Sequence, residues 1–592
     1  MSMKKLLISG LLIWLILSSG VGATEVFPLD QVVPGMKGYG KTVVQGAKVE
    51  EFDFEVLDII PQTPPIPSLI MIEVSGDLIE RSDGIASGMS GSPVYLDGKL
   101  LGAIGYGYSY TNHRIGLVTP AESMMELINE VSDMDELPLP KDFEPLATPM
   151  LLGGFQNRAA KILEKQFAPH NLQVIPGLTG NSGSFENIML EPGSAFGVQL
   201  LRGDFQVVAF GTITAITETG SFVGFGHPFL HKGKVNYFVA PAFVHYTMPH
   251  LEIPYKIASV GPSVGTLLLD RSSGVAGLLG KQTPYIPINI QVHDLTENRL
   301  REFKVEAVTD DSLLSALAIS SVYQGIDSTL DRIGKGTAYV RLEFHSNDLL
   351  KPIIRENMFY SDSDIAVWAL SDLNEGLELL IANDLQDVTL SGINTKITIE
   401  EGRKTASIEK AIPTSFQVRA GESVDIEVLI RPYRQPVEYR VLRITIPEET
   451  LPGYMTVTVR GGGMGYYASK PTVHTTWQSF EAEDDEMPWQ SLSGAESLDK
   501  LLEDYMLREQ NNEIVAEFYP YIDSYSSNDI VEEVVETLAQ NGNSIPISEL
   551  VLLEPEYGGY HWEDLGSEGV RVRLTTQFVI EGSASFDIEV IK

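Results

Sequence analysis

"DGIASGMSGSPVYLDGKLLGAIGYGY", Asp83 to Tyr108, decides how the first quarter of the chain is built. Asp97-Gly98 reads as a two-residue hairpin turn between "SPVYL" and "KLLGAIGYGY", since these residues accept the positive φ that a tight hairpin needs. Ahead of it, Gly88 and Gly91 flank Met89-Ser90 and let the backbone turn sharply there. Pro93 opens the next strand with a fixed φ. Upstream, "EEFDFEVLDII" alternates Phe52, Phe54 and Val56 with Glu51, Asp53 and Glu55, the period of a half-buried strand. "PQTPPIPS" is a proline-rich loop before the strand "LIMIEVSG". Downstream, "TPAESMMELINEV" predicts a helix capped by Thr119, with Pro120 first and Glu122 completing a capping box.

Gly88-Met89-Ser90-Gly91-Ser92-Pro93 fits the G-x-S-G-x-P pattern of chymotrypsin-like peptidases. The spacing has a physical reason. A glycine two residues before the serine lets the N–H groups of Gly88 and Ser90 converge on one point, where charge develops on a substrate carbonyl. Gly105-Tyr106-Gly107, in the strand after the hairpin, would leave an edge on which an extended peptide pairs through its main chain. The plain alternative is a Gly/Ser-rich tight turn with no chemistry.

A serine nucleophile needs a base within hydrogen-bond reach, and no histidine precedes Ser90. Of the ten histidines, His113 sits in a loop beside the hairpin, whereas His227 leaves an apolar strand between Gly226 and Pro228. His227 and His231 are spaced four apart, but Pro228 argues against the helix that would bring them onto one metal.

Composition bounds the function. The chain has 592 residues, too many for one core, so roughly three or four domains are expected. A formal charge of −38 tells against nucleic acid as a partner. Without cysteine there is no disulfide framework, thiolate metal site or cysteine nucleophile. Lys4 and Lys5, the apolar run Leu6–Leu17 and the small residues Val21-Gly22-Ala23 read as an export signal over residues 1–23. An uncleaved anchor is the alternative, although the run falls short of a span. The expected location is periplasmic, cell-envelope or extracellular. No P-loop or dinucleotide fingerprint occurs, and "GKGTAYV" at Gly334 reads as a turn into a strand. No cofactor or metal is expected.

The elements predict a mainly β chain with an immunoglobulin-like sandwich and a small α+β region, and the likeness of its serine motif to chymotrypsin-like peptidases implies a double β-barrel ahead of them. The serine-bearing barrel is placed at 24–150 and the histidine-bearing barrel at 151–335. "FGTITAITETGSFVGFGHPFL" forms a hairpin of the second barrel, turning at Glu218-Thr219-Gly220. Short strands with Pro/Gly turns place the sandwich at 336–465. Residues 466–592 follow, with an acidic linker and the helices "SLDKLLEDYML" and "DIVEEVVETLAQ". "GNSGSF" at Gly180 mimics the serine motif but lacks its proline and hairpin.

"GIASGMSGSPVYLDGKLLGA" and "TGSFVGFGHP" together resemble the SpoIVB-type sporulation serine peptidases, over roughly residues 36–130 and 205–285. The resemblance implies a protein or peptide substrate, with Ser90 as nucleophile and His227 as general base. The halves stand in reversed order here, which catalysis tolerates because it needs convergence in space and not chain order. The family's acid falls at Gly76 or, with a one-residue shift, at Asp77; Asp83 and Asp204 are the fallback candidates. An envelope protein that keeps the fold and binds an extended segment without turnover is the rival expectation. An enzyme that cuts only itself or one partner is a third.

Overall fold

The computed structural model describes residues 24–61, 68–108, 110–130, 148–170, 172–177, 185, 188–463, 497–520 and 569–592. The export signal, the acidic linker, the second C-terminal helix, all of the "GNSGSF" stretch but Phe185, and most of the proline-rich loop lie outside them.

Six strands, β1 (Lys37–Thr42), β2 (Glu50–Ile60), β3 (Leu69–Ser75), β4 (Pro93–Leu96), β5 (Lys99–Gly107) and β6 (Ile115–Pro120), close into a barrel in the order β1-β2-β3-β6-β5-β4. β2 turns Phe52, Phe54 and Val56 into the core, and its acidic residues Glu51 and Asp53 face out, as the alternation predicts. β5 instead is buried almost end to end, because both of its faces are covered. Leu101 and Ile104 fill the barrel. Leu100 and Ala103 pack outward with Met124 and Leu127 against Ala215, Val223, Leu269 and Ala276 of a second β body. A short helix, α1 (Asp77–Ser82), joins β3 to the serine loop.

β7 (Thr148–Gly153) and β8 (Leu172–Gly177), bridged by the helix 157–167, lead into that second body. There β9 (Ala195–Gly203), β10 (Gln206–Ile216), β11 (Ser221–Gly224), β12 (Gly233–Met248), β14 (Gly265–Arg271) and β15 (Gly274–Leu279) pair in the ring β9-β10-β11-β15-β14-β12, which β12 closes onto β9. β13 (Tyr255–Val260) pairs with the long β12, and its Tyr255 also forms an isolated bridge with Ser87 of the serine loop. Both rings read first, second, third, sixth, fifth, fourth. The chain therefore carries the same barrel twice, which is the expected double-barrel core.

The second barrel is not self-contained. Strand 299–308 pairs with β9 and continues the sheet through 285–294, 390–400, 336–346 and 353–361 to fourteen strands. The buried helix 311–330, capped by Asp310 accepting from the Ser312 N–H, covers it. Strands 336–361 and 390–400 thus belong to the large sheet, although their pattern suggests a sandwich from 336 onward. The sandwich itself joins strands 405–413, 423–432, 438–445 and 579–581 in one sheet. Strands 417–419, 453–461, 513–518, 570–575 and 583–591 form the other. Chain-end strands complete it, an arrangement that period alone does not reveal.

Among the described residues no helix is long and apolar enough to cross a membrane.

Candidate active site

Ser90 lies in the connection from the third to the fourth strand of the first barrel, and His227 in the corresponding connection of the second, between β11 and β12. Their chain neighbours touch across the seam. Gly91 carries φ +92, and a Cβ there would stand 2.0 Å from the Thr212 carbonyl oxygen and 2.4 Å from the Phe225 nitrogen. Only glycine fits such an approach. Gly226 faces Gly105 equally closely: a Cβ on Gly105 would lie 2.4 Å from the Gly226 oxygen. Thr119, the expected helix cap, does something else. Its hydroxyl donates to the Gly226 carbonyl at 2.5 Å, Pro120 ends β6, and the helix starts at Ala121. Packing between the barrels has overridden a local capping pattern.

The serine turn is held from the second barrel through its carbonyl groups. Gly88 O accepts from Thr212 Oγ1 at 3.0 Å and Lys256 Nζ at 2.9 Å. Ser90 O accepts from the Thr212 N–H at 2.8 Å, and Gly91 O from Thr214 Oγ1 at 2.8 Å. The Gly91 N–H donates to Ile104 O at 2.7 Å. By contrast, the N–H groups of Gly88 and Ser90, the pair expected to meet an oxyanion, have no acceptor among the described residues. Such donors are costly to bury unless they serve a ligand.

His227 is 1% exposed and Ser90 fully buried. The Nδ1 of His227 is 2.7 Å from the Pro228 carbonyl oxygen. A carbonyl can only accept, so Nδ1 carries the proton and Nε2 is left with its lone pair. Burial pushes the imidazole pKa down to about 4, against the opposing pull of that carbonyl. The ring is therefore neutral at pH 7. His227 Nε2 and Ser90 Oγ are both buried without a hydrogen-bond partner. Their mutual bond is not formed in this closed arrangement, which apo sites often leave to the bound state. Tyr106 stands edge-on to the imidazole with ring centroids 6.3 Å apart.

The structure does not bring the expected acids to His227. Asp77 is exposed in the first turn of α1, and no hydrogen bond or ion pair links it to the imidazole. Asp83 is the left-handed cap of the same helix, and Asp204 accepts from the Lys304 N–H on a distant hairpin. The acceptor at His227 Nδ1 is the Pro228 carbonyl. A different carboxylate shapes the loop: fully buried Asp270, at the end of β14, accepts from the N–H groups of Phe229 and Leu230 at 2.7 Å and of Lys232 at 3.3 Å. Burial raises its pKa and the three N–H bonds oppose that. Phe225, with φ +66, adds a strained turn just ahead of His227.

Gly105-Tyr106-Gly107 pairs with β6 on one side, with a register shift between Ile104 and Tyr106. The ladder to β4 ends at Ala103, so main-chain groups beyond it on that side are not committed to β4. Sequence reasoning passed over Thr212, Thr214, Asp270 and Lys256. The one available signal was Thr212 and Thr214 two apart on an otherwise apolar strand, polar side chains aimed at the same buried face.

Residues 24–125 match the sequence family described as SpoIVB peptidase S55. The match spans the first barrel with Ser90 and ends before His227. A peptidase family implies a protein or peptide substrate. No curated protein and no solved structure matches the chain.

Proposed function

We propose that the chain is a serine endopeptidase of the SpoIVB type in which Ser90 is the nucleophile and His227 the general base. The observation that carries this reading is the paired vacancy in bonding: Ser90 Oγ and His227 Nε2 are both buried and unpartnered, on equivalent loops of two abutting barrels. Ser90 Oγ attacks the scissile carbonyl carbon while its proton passes to Nε2. The resulting oxyanion accepts from the Gly88 and Ser90 N–H groups. Collapse breaks the C–N bond, and the imidazolium returns the proton to the leaving amine. Water repeats the sequence on the acyl-enzyme. The substrate main chain pairs along Gly105–Gly107, and the Pro228 carbonyl takes the orienting role usually given to an aspartate.

Full burial means that the seam opens before a polypeptide enters. The basic and apolar stretch Lys4–Leu17 supports export, which would put the enzyme in the envelope or outside the cell. The competing reading is a peptide-binding envelope protein without turnover, favoured by the lack, among the described residues, of a carboxylate bonded to His227.

A fluorophosphonate probe with peptide mapping separates the two. Covalent modification of Ser90, absent from a folded Ser90→Ala protein that has also lost proteolysis, is the expected result. Undiminished proteolysis by Ser90→Ala would reject the assignment.

A further inference from the structure

We propose that Lys256 is a positioning residue for the oxyanion-binding turn, reaching from the second barrel to fix the Gly88 carbonyl; the inference rests on the peptidase reading above. Lys256 is the second residue of β13, and the start of this strand is stitched to the serine loop. The Ser87 N–H donates to Pro254 O at 2.7 Å, and the Lys256 N–H to Ser87 O at 3.1 Å. The side chain is 1% exposed. Its Nζ donates to Gly88 O at 2.9 Å and to Thr42 Oγ1 at 3.3 Å, and it has no acidic partner among the described residues. Burial pushes its pKa down to about 7.

An isolated ammonium or amine is an expensive way to fill a buried space, and a methionine would occupy a similar volume without that cost. The location of the amine supplies a reason. The Gly88–Met89 peptide lies between the two peptides that carry the Gly88 and Ser90 N–H groups. Gly88 has φ +94, a conformation from which glycine can rotate with little steric resistance. Were this middle peptide to flip, its oxygen would exchange places with an N–H and disturb the donors on either side. Thr212 Oγ1 and Lys256 Nζ grip that oxygen together. The grip also ties the geometry of the turn to docking of the two barrels. A cation so near would in addition favour developing negative charge.

The test compares wild type with Lys256→Met in the full-length protein, reading the rate of fluorophosphonate reaction at Ser90, kcat and KM on a peptide, and thermal melting. The inference predicts a rate and kcat roughly 10²-fold lower, the scale of losing one oxyanion donor. KM should be little changed and the melting temperature equal or higher, because a buried amine has gone. Equal rates in the two proteins would overturn it. So would a rate and melting temperature that fall together, which marks a merely structural lysine. If Lys256→Met does not fold, Thr42→Val, which removes only the amine's second acceptor, takes its place. Slower labelling at unchanged melting supports the inference and unchanged labelling refutes it. No labelling of wild-type Ser90 would defeat the peptidase reading itself, an outcome distinct from equal labelling of both proteins.

Discussion

The two barrels share one strand order and use it differently. The first closes on itself, and its third connection is a glycine turn whose carbonyl groups are bound by its neighbour. The second is one part of a fourteen-stranded sheet, and a buried carboxylate inside the same barrel fixes its third connection. The serine loop takes three of its carbonyl contacts from the neighbouring barrel, whereas the His227 loop takes its carboxylate from its own barrel and one contact, Thr119 on Gly226, from across the seam. The Ser90 turn therefore leans more heavily on docking than the His227 loop does.

That asymmetry can be broken at graded cost. The largest effect is expected from His227→Ala: Ser90 phosphonylation should fall by about 10⁴ or more with the fold intact, measured beside circular dichroism. Next comes Gly91→Ala. Its methyl would meet backbone atoms at 2.0 and 2.4 Å and a positive φ, so destabilisation of roughly 3 kcal/mol or more is expected in urea melts. The analogous loss within the second barrel is Asp270→Asn, which leaves an acceptor short among three N–H groups. About 2 kcal/mol of stability and roughly tenfold in rate should go, whereas labelling that is unchanged would deny Asp270 any hold on the His227 loop.

Acid and base should sense the two partners separately. His227 has a folded pKa near 4 against an ordinary 6.5, so the unfolded chain binds the extra proton between those values. Stability is lost as pH falls through that window, by a few kcal/mol in total, and His227→Gln should flatten the loss. For Lys256, folded near 7 against 10.5, the unfolded chain again binds more protons. Its penalty is complete below about pH 7 and is relieved as pH rises toward 10.5. Wild type should accordingly gain stability relative to Lys256→Met between pH 6 and pH 9 in urea melts. The smallest effect is that of Asp77→Asn, under threefold on labelling, since that carboxylate is exposed and unlinked to the imidazole.

Much of this architecture was legible because it is local. The Asp97-Gly98 turn, the alternation of β2 and the glycine spacing around Ser90 each state their own geometry. His227 could be singled out by its place after an apolar strand flanked by Gly226 and Pro228. What could not be read are the cross-barrel partners. Thr119 carries a capping signature yet bonds to Gly226, and Lys256 sits 168 positions from the carbonyl it grips. The sandwich boundary failed for the same reason: strands 336–361 look like sandwich strands, but their pairing partners decide their sheet. The acid position was not legible: motif alignment points to Asp77, which the fold leaves exposed and unbonded to the imidazole, while His227 Nδ1 meets a main-chain carbonyl.

The most direct trial of the account is a crystal structure of the full chain with a phosphonate on Ser90. It should show His227 Nε2 within about 3 Å of Ser90 Oγ and the phosphonyl oxygen bound by the Gly88 and Ser90 N–H groups. A phosphonate seated on another residue, or on Ser90 with the imidazole turned away and those N–H groups unused, would contradict it.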